Sequence, residues 1–181
     1  LEECAAIVRT DPASYRAASG HVFSNLGSAL LALDRIDDAE RAFRAFLELP
    51  EPELRPPHQI AAGRESLAAI AGYRGRYAEA IELLRAALVI RDEHYGREHS
   101  STRIARGNLA FYLAEAGALE EAKELMDELL AIARRRNGDR SPITFSALNN
   151  RGNYLERLGR LDVHRVVHRH QRLQRRIRAG A

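Results

Sequence analysis

The chain is 181 residues long, 45% hydrophobic and 29% charged, with no tryptophan and a single cysteine, Cys4. That composition supports a folded core, rules out an internal disulfide and a cysteine-only metal cluster, and contains no run of about 18 apolar residues, so no membrane span is expected. The net charge of +3 is unevenly spread: residues 157–181 hold eight arginines and one acid, Asp162, leaving 20 bases against 24 acids in residues 1–156.

Residues 1–20 begin with Leu1 rather than methionine and show no signal-peptide pattern. They read as a preceding helix or N-terminal cap, in a chain expected to be a fragment or processed product and to be cytoplasmic. From there a pattern recurs. "NLGSALLALDRIDDAERAF" (25–43) is followed by "SLAAIAGYRGRYAEAIELL" (66–84), "NLAFYLAEAGALEEAKELM" (108–126) and "NRGNYLERLGRLDVHRVVH" (150–168). Asp34, Gly75, Gly117 and Gly159 hold one place in the pattern, at spacings of 41, 42 and 42 residues. A fixed period in this range indicates stacked supersecondary units rather than one globular core.

Each copy predicts two amphipathic helices with a tight turn between them. The first copy has Leu26, Gly27 and Leu30 before the turn and Ala39, Phe43 and Phe46 after it. The second has Leu67, Ala68 and Ala71, then Ala80, Leu84 and Ala87; the third has Leu109, Ala110 and Leu113, then Ala122, Met126 and Leu129. Glycine at the turn supplies a left-handed conformation, which Asp34 tolerates. Gly27, Ala68, Ala110 and Gly152 are small so that paired helices approach closely. Between copies, "HYGREHSST" (94–102) and "RNGDRSPIT" (136–144) match, and Ser141-Pro142 is a helix start. The first link, "PEPELRPPHQ" (50–59), reads as a stiff proline-rich loop.

The 42-residue period, the "ALNN" at 147–150 and the Gly-x-x-(His/Ser)-(Ser/Pro) links resemble the tetratricopeptide repeat family, in its kinesin-light-chain subtype. The resemblance implies an all-α fold, an α-solenoid of antiparallel helix pairs forming a superhelix. The array is expected over residues 21–160, with repeats at about 21–55, 61–98, 103–140 and, in part, 145–160. It implies a protein–protein interaction scaffold that holds a peptide or a partner's helix in a concave groove. A second reading is a regulatory or sensor segment of a larger bacterial signalling or transcription-regulating protein, since similar bacterial arrays sit behind such modules.

By the same resemblance the first helix of each repeat lines the groove. The positions concerned are Asn25 and Ser28, Glu65 and Ser66, Asn108 and Phe111, and Asn149, Asn150 and Asn153; Ser24, Ala69 and Gly107 flank them. An asparagine amide offers donor and acceptor together and suits an extended peptide backbone. The same amides could instead bond within the array. The Glu65-Ser66 pair leaves no full basic clamp for a peptide carboxylate.

No catalytic constellation stands out. Asp37-Asp38 and Glu120-Glu121 fall at helix starts, where acids favour the dipole. There is no glycine-rich phosphate loop and no nucleophile paired with a base, so no enzyme activity and no cofactor are expected. His164 and His168 share a helix face but lack a third ligand, so no metal site is assigned. The basic segment 161–181 lacks interleaved aromatics. It reads as a solvated capping helix rather than a nucleic-acid or membrane contact, with Val163 and Val167 turned inward, or as a helix that docks on a second copy to give a homodimer. Its Arg/His-rich end is also what an out-of-frame reading of a GC-rich gene would produce.

Overall fold

A computed structural model describes residues 25–49 and 56–157. The expectations for Cys4, Ser24, His164, His168 and the segment 161–181 lie outside the described residues. Seven helices follow in order among those described: α1 over residues 25–32, α2 Ile36–Leu47, α3 Pro57–Tyr73, α4 Tyr77–Tyr95, α5 Ser100–Glu115, α6 Leu119–Asn137 and α7 Pro142–Arg157. The fold is the expected all-α solenoid of helix pairs. The chain divides into two compact units, Leu1–Tyr112 and Leu113–Ala181.

The turn within each of the first three copies closes in one way. Arg35 N–H bonds Leu30 C=O at 2.9 Å, Arg76 N–H bonds Ala71 C=O at 2.8 Å, and Ala118 N–H bonds Leu113 C=O at 2.8 Å. The residue before each donor is left-handed: Asp34 at φ 58°, Gly75 at 71° and Gly117 at 84°. This is a Schellman close, which satisfies carbonyls the ending helix leaves orphaned. Asp34 fills it without glycine because a short polar side chain tolerates that region better than a branched one.

The links use a second device. Gly96 ends α4 at φ 80°, ψ 161° and Gly138 ends α6 at φ 76°, ψ 162°. That region is nearly closed to residues with a Cβ. After Gly138, Ser141 Oγ accepts from Ile143 N–H at 3.1 Å, and Thr144 Oγ1 donates to Gly138 C=O at 2.8 Å. In the preceding link His99 takes the serine's place, its Nδ1 accepting from Ser101 N–H at 3.3 Å. α3, α5 and α7 begin at Pro57, Ser100 and Pro142, a few residues ahead of the expected repeat starts. Residues 57–59 are therefore the first turn of α3 rather than loop: a proline at the first helical position needs no N–H partner.

In the first unit α2 packs on α3 and α3 on α4. Leu30, Ala39, Ala42, Phe43, Leu67 and Ile70 form a buried cluster shared by α1, α2 and α3, with Leu83 of α4 at its margin. The expected small-residue approach is seen at Gly27: a Cβ there would lie 2.7 Å from Cζ of Phe43. In the second unit α6 packs on α7.

Charges tie neighbouring elements together. Glu40 of α2, 5% exposed, accepts from Arg76 at 2.9 Å and from Arg74, at the turn that closes α3. Burial pushes the Glu40 carboxyl up, but the Arg76 hydrogen bond and the charges of Arg44, Arg76 and Arg74 outweigh it and hold it below the usual carboxylate range. Arg106 of α5, 3% exposed, grips both oxygens of Asp92 at 2.9 and 2.7 Å and donates to Arg97 C=O at 3.0 Å. In the second unit Asp127 of α6 pairs with Arg151 of α7 and with Lys123 at 3.1 Å.

Candidate functional site

A helix shows the same face at i, i+3 or i+4, and i+7. On α5 that register carries Ile104, Asn108 and Phe111, all exposed, at 64% for Ile104 and 53% for Phe111. On α3 it carries Ser66, Ala69 and Tyr73, with Ser66 half-buried, Ala69 exposed and Tyr73 80% exposed. On α1 it carries Asn25 and Ser28, both exposed. In the second unit α7 presents Asn149, Asn150 and Asn153, all exposed.

The side chains of Asn25, Asn108, Asn149, Asn150 and Asn153 have no hydrogen-bond partner among the described residues, whereas Ser28 has one. Glu65 behaves differently. Arg91 of α4 donates to it through Nε and through Nη2, the latter at 2.8 Å, so this carboxylate is occupied inside its own helix pair. The Glu65 hydrogen bond, working against burial, raises the Arg91 guanidinium further.

The resemblance singled out Phe111 but not Tyr73 or Ile104. The contact that matters is between α3 and α5. Gly72 lies so close to Tyr112 that any Cβ on it would run into the ring. Tyr112 in turn stacks on Tyr77 at 6.3 Å between centroids and meets Phe111 edge-on at 5.2 Å. Tyr73 and Phe111 are the chain neighbours of Gly72 and Tyr112, the pair at which α3 meets α5. The glycine at position 72 is the signal that could have found it.

Against known families, the model described as tetratricopeptide repeat matches residues 59–135 and again 102–163. The chain belongs to the tetratricopeptide repeat family. Similar solved tetratricopeptide structures include the nearly identical TPR-like repeats of a Podosopora anserina protein assigned as a kinesin light chain, at 19% identity and a TM-score of 0.79, covering 95% of this chain and 82% of that one. A singly substituted form of those repeats has the same identity and TM-score, with 96% and 83% covered. BtubC (BKLC) from P. vanneervenii is 25% identical at a TM-score of 0.64, covering 94% of this chain and 66% of that one. No curated protein matches the sequence. As a tetratricopeptide repeat protein the chain is a protein–protein interaction scaffold, and no described helix is long and apolar enough to cross a membrane.

Proposed function

We propose that the chain is a peptide-binding module whose contact surface is the exposed register of its first helices: Asn25, Ser28, Ser66, Asn108 and Phe111 in the first unit, and Asn149, Asn150 and Asn153 in the second. Glu65 belongs to the same register but serves it indirectly, by fixing α3 against α4 through Arg91. The array runs over residues 21–160, between a cap at 1–20 and the basic segment 161–181. The observation that carries the reading is the set of exposed asparagine amides with no hydrogen-bond partner among the described residues. Each offers a donor and an acceptor together, which suits the N–H and C=O groups of an extended backbone and is indifferent to its side chains.

The test uses peptides selected from a random displayed library against the intact chain. Substituting Asn108→Ala together with Asn150→Ala is expected to weaken the selected peptides about tenfold, with the circular dichroism spectrum unchanged. Unaltered affinity would remove the groove reading.

A further inference from the structure

We infer that Asn137 is a site of spontaneous deamidation, reached when the last turn of α6 frays, and that its isoaspartate product loosens the link between α6 and α7. The chain has six asparagines, and only Asn137 is followed by glycine; the others precede leucine, asparagine, arginine or tyrosine. A glycine on the carboxyl side leaves its backbone nitrogen unshielded by a side chain and its peptide unit free to turn that nitrogen toward the amide carbon. Asn137 is exposed, so water reaches the group that forms.

The fold requires the glycine and not the asparagine. Gly138 closes α6 at φ 76° and ψ 162°, a region nearly closed to residues with a Cβ. The preceding link holds Gly96 in the same conformation, at φ 80° and ψ 161°, and there the residue before it is Tyr95. Asparagine at this place is a property of one link, and it stands beside a glycine that the turn cannot exchange.

The chemistry is a cyclisation followed by hydrolysis. The Gly138 nitrogen gives up its proton to solvent base and bonds to Cγ of Asn137; the bond from Cγ to Nδ2 breaks, and Nδ2 leaves as ammonia. Water then opens the succinimide. Attack at the side-chain carbonyl gives aspartate, and attack at the main-chain carbonyl gives isoaspartate, with the backbone rerouted through Cβ.

In the closed link both reacting groups are held. The Gly138 N–H donates to Arg134 C=O at 2.9 Å, and Nδ2 of Asn137 donates to Ala133 C=O at 3.1 Å. Both bonds belong to the last turn of α6, so one fraying event frees both groups. The product then acts on the next helix. Gly138 C=O accepts from Ser141 N–H at 3.4 Å and from Oγ1 of the fully buried Thr144 at 2.8 Å. Isoaspartate adds a methylene to the backbone just ahead of that glycine and shifts the carbonyl on which the start of α7 is built. Either product also removes the donor to Ala133 C=O and places a carboxylate at the negative end of the α6 dipole.

The experiment incubates the intact chain and Asn137→Gln at alkaline pH beside a free peptide of residues 134–140, and follows isoaspartate by peptide mapping. Asn137 is expected to convert ahead of every other asparagine, about tenfold more slowly than in the free peptide, since two hydrogen bonds must open first. Mild denaturant should narrow that gap. The aged chain, unlike aged Asn137→Gln, is expected to lose amide protection in the last turn of α6 and along α7, with α3 and α4 unchanged. A free peptide that converts while the chain does not, another asparagine that converts first, or equal rates in chain and peptide would overturn the gated site. A converted chain whose α7 is as protected as that of Asn137→Gln would overturn the loosening of the link.

Discussion

A single methyl group on Gly27 measures how tightly the first helix pair is closed. It would stand 2.7 Å from Cζ of Phe43, and that ring is 1% exposed, so it has nowhere to swing. Gly27→Ala is therefore expected to cost about 1–3 kcal/mol through overpacking, even though alanine is the better helix former. Chemical denaturation of the two proteins checks this, and equal midpoints would mean that the pair can open to accept the methyl. Ala68 and Ala110 hold the same repeat position and are fully buried, so a methyl fits there. The difference lies in the opposing residue: the first copy has Phe43 where the second has Leu84. Gly27 and Phe43 are a matched pair, and the small residue makes room for the large one.

Between elements, Glu40 makes a contact that depends on pH. It takes guanidinium groups from Arg74 and Arg76 at the turn of the next copy and holds α2 against the end of α3. Its folded-state carboxyl lies below the unfolded value, so the stability it contributes is fully present above the ordinary carboxylate range and is lost as pH falls through the depressed folded value. Glu40→Gln is expected to lower stability at neutral pH by about 1–3 kcal/mol. It should also flatten the acid side of the stability curve, because the variant has no such proton to take up. Melting temperatures followed from neutral to acid pH decide it; parallel curves for the two proteins would mean that Glu40 contributes nothing to the acid limb. Asp127 is held down in the same sense by hydrogen bonds from Arg151 and Lys123, against its burial, and keeps a share of acid sensitivity in the variant.

At the scale of the whole molecule, a repeat array differs from a globular domain in that each copy touches only its neighbours, so damage stays local. Glu40→Gln is expected to raise amide hydrogen exchange in α2 and around the turn at Gly75, and to leave α6 and α7 close to their original protection. Exchange mapped along the chain tests this, and a uniform rise over all helices would indicate one cooperative core instead. The same locality suits a binding scaffold. Side chains such as Tyr73 and Phe111 can stay in solvent because the helices beneath them are closed by buried contacts elsewhere, at Leu67, Leu84 and Leu109.

The repeat by itself determined the helix pairs and their turns, whereas the face of each first helix came from the resemblance to a family. Helix pairs and turns follow from local chemistry repeated at a fixed period. A left-handed residue must close each Schellman turn, and period-3.6 patterning must put one stripe inside, so Asp34, Gly75 and Gly117 were legible without coordinates. Links were legible only in part: proline at 57 suits a first helical turn as well as a loop, and only the hydrogen bonds to Pro56 C=O from Gln59 and Ile60 separate the two. The tertiary structure alone decided which groups on the first helices are already engaged. Glu65 looked like a ligand contact, but Arg91 sits 26 residues away and reaches it only when α3 and α4 are folded back on each other. Nothing in the repeat marked Gly72, and only the fold brings it against Tyr112. Long-range pairing of this kind depends on which side chains two helices bring within reach, and a one-dimensional period carries the direction of a face but not the identity of what meets it.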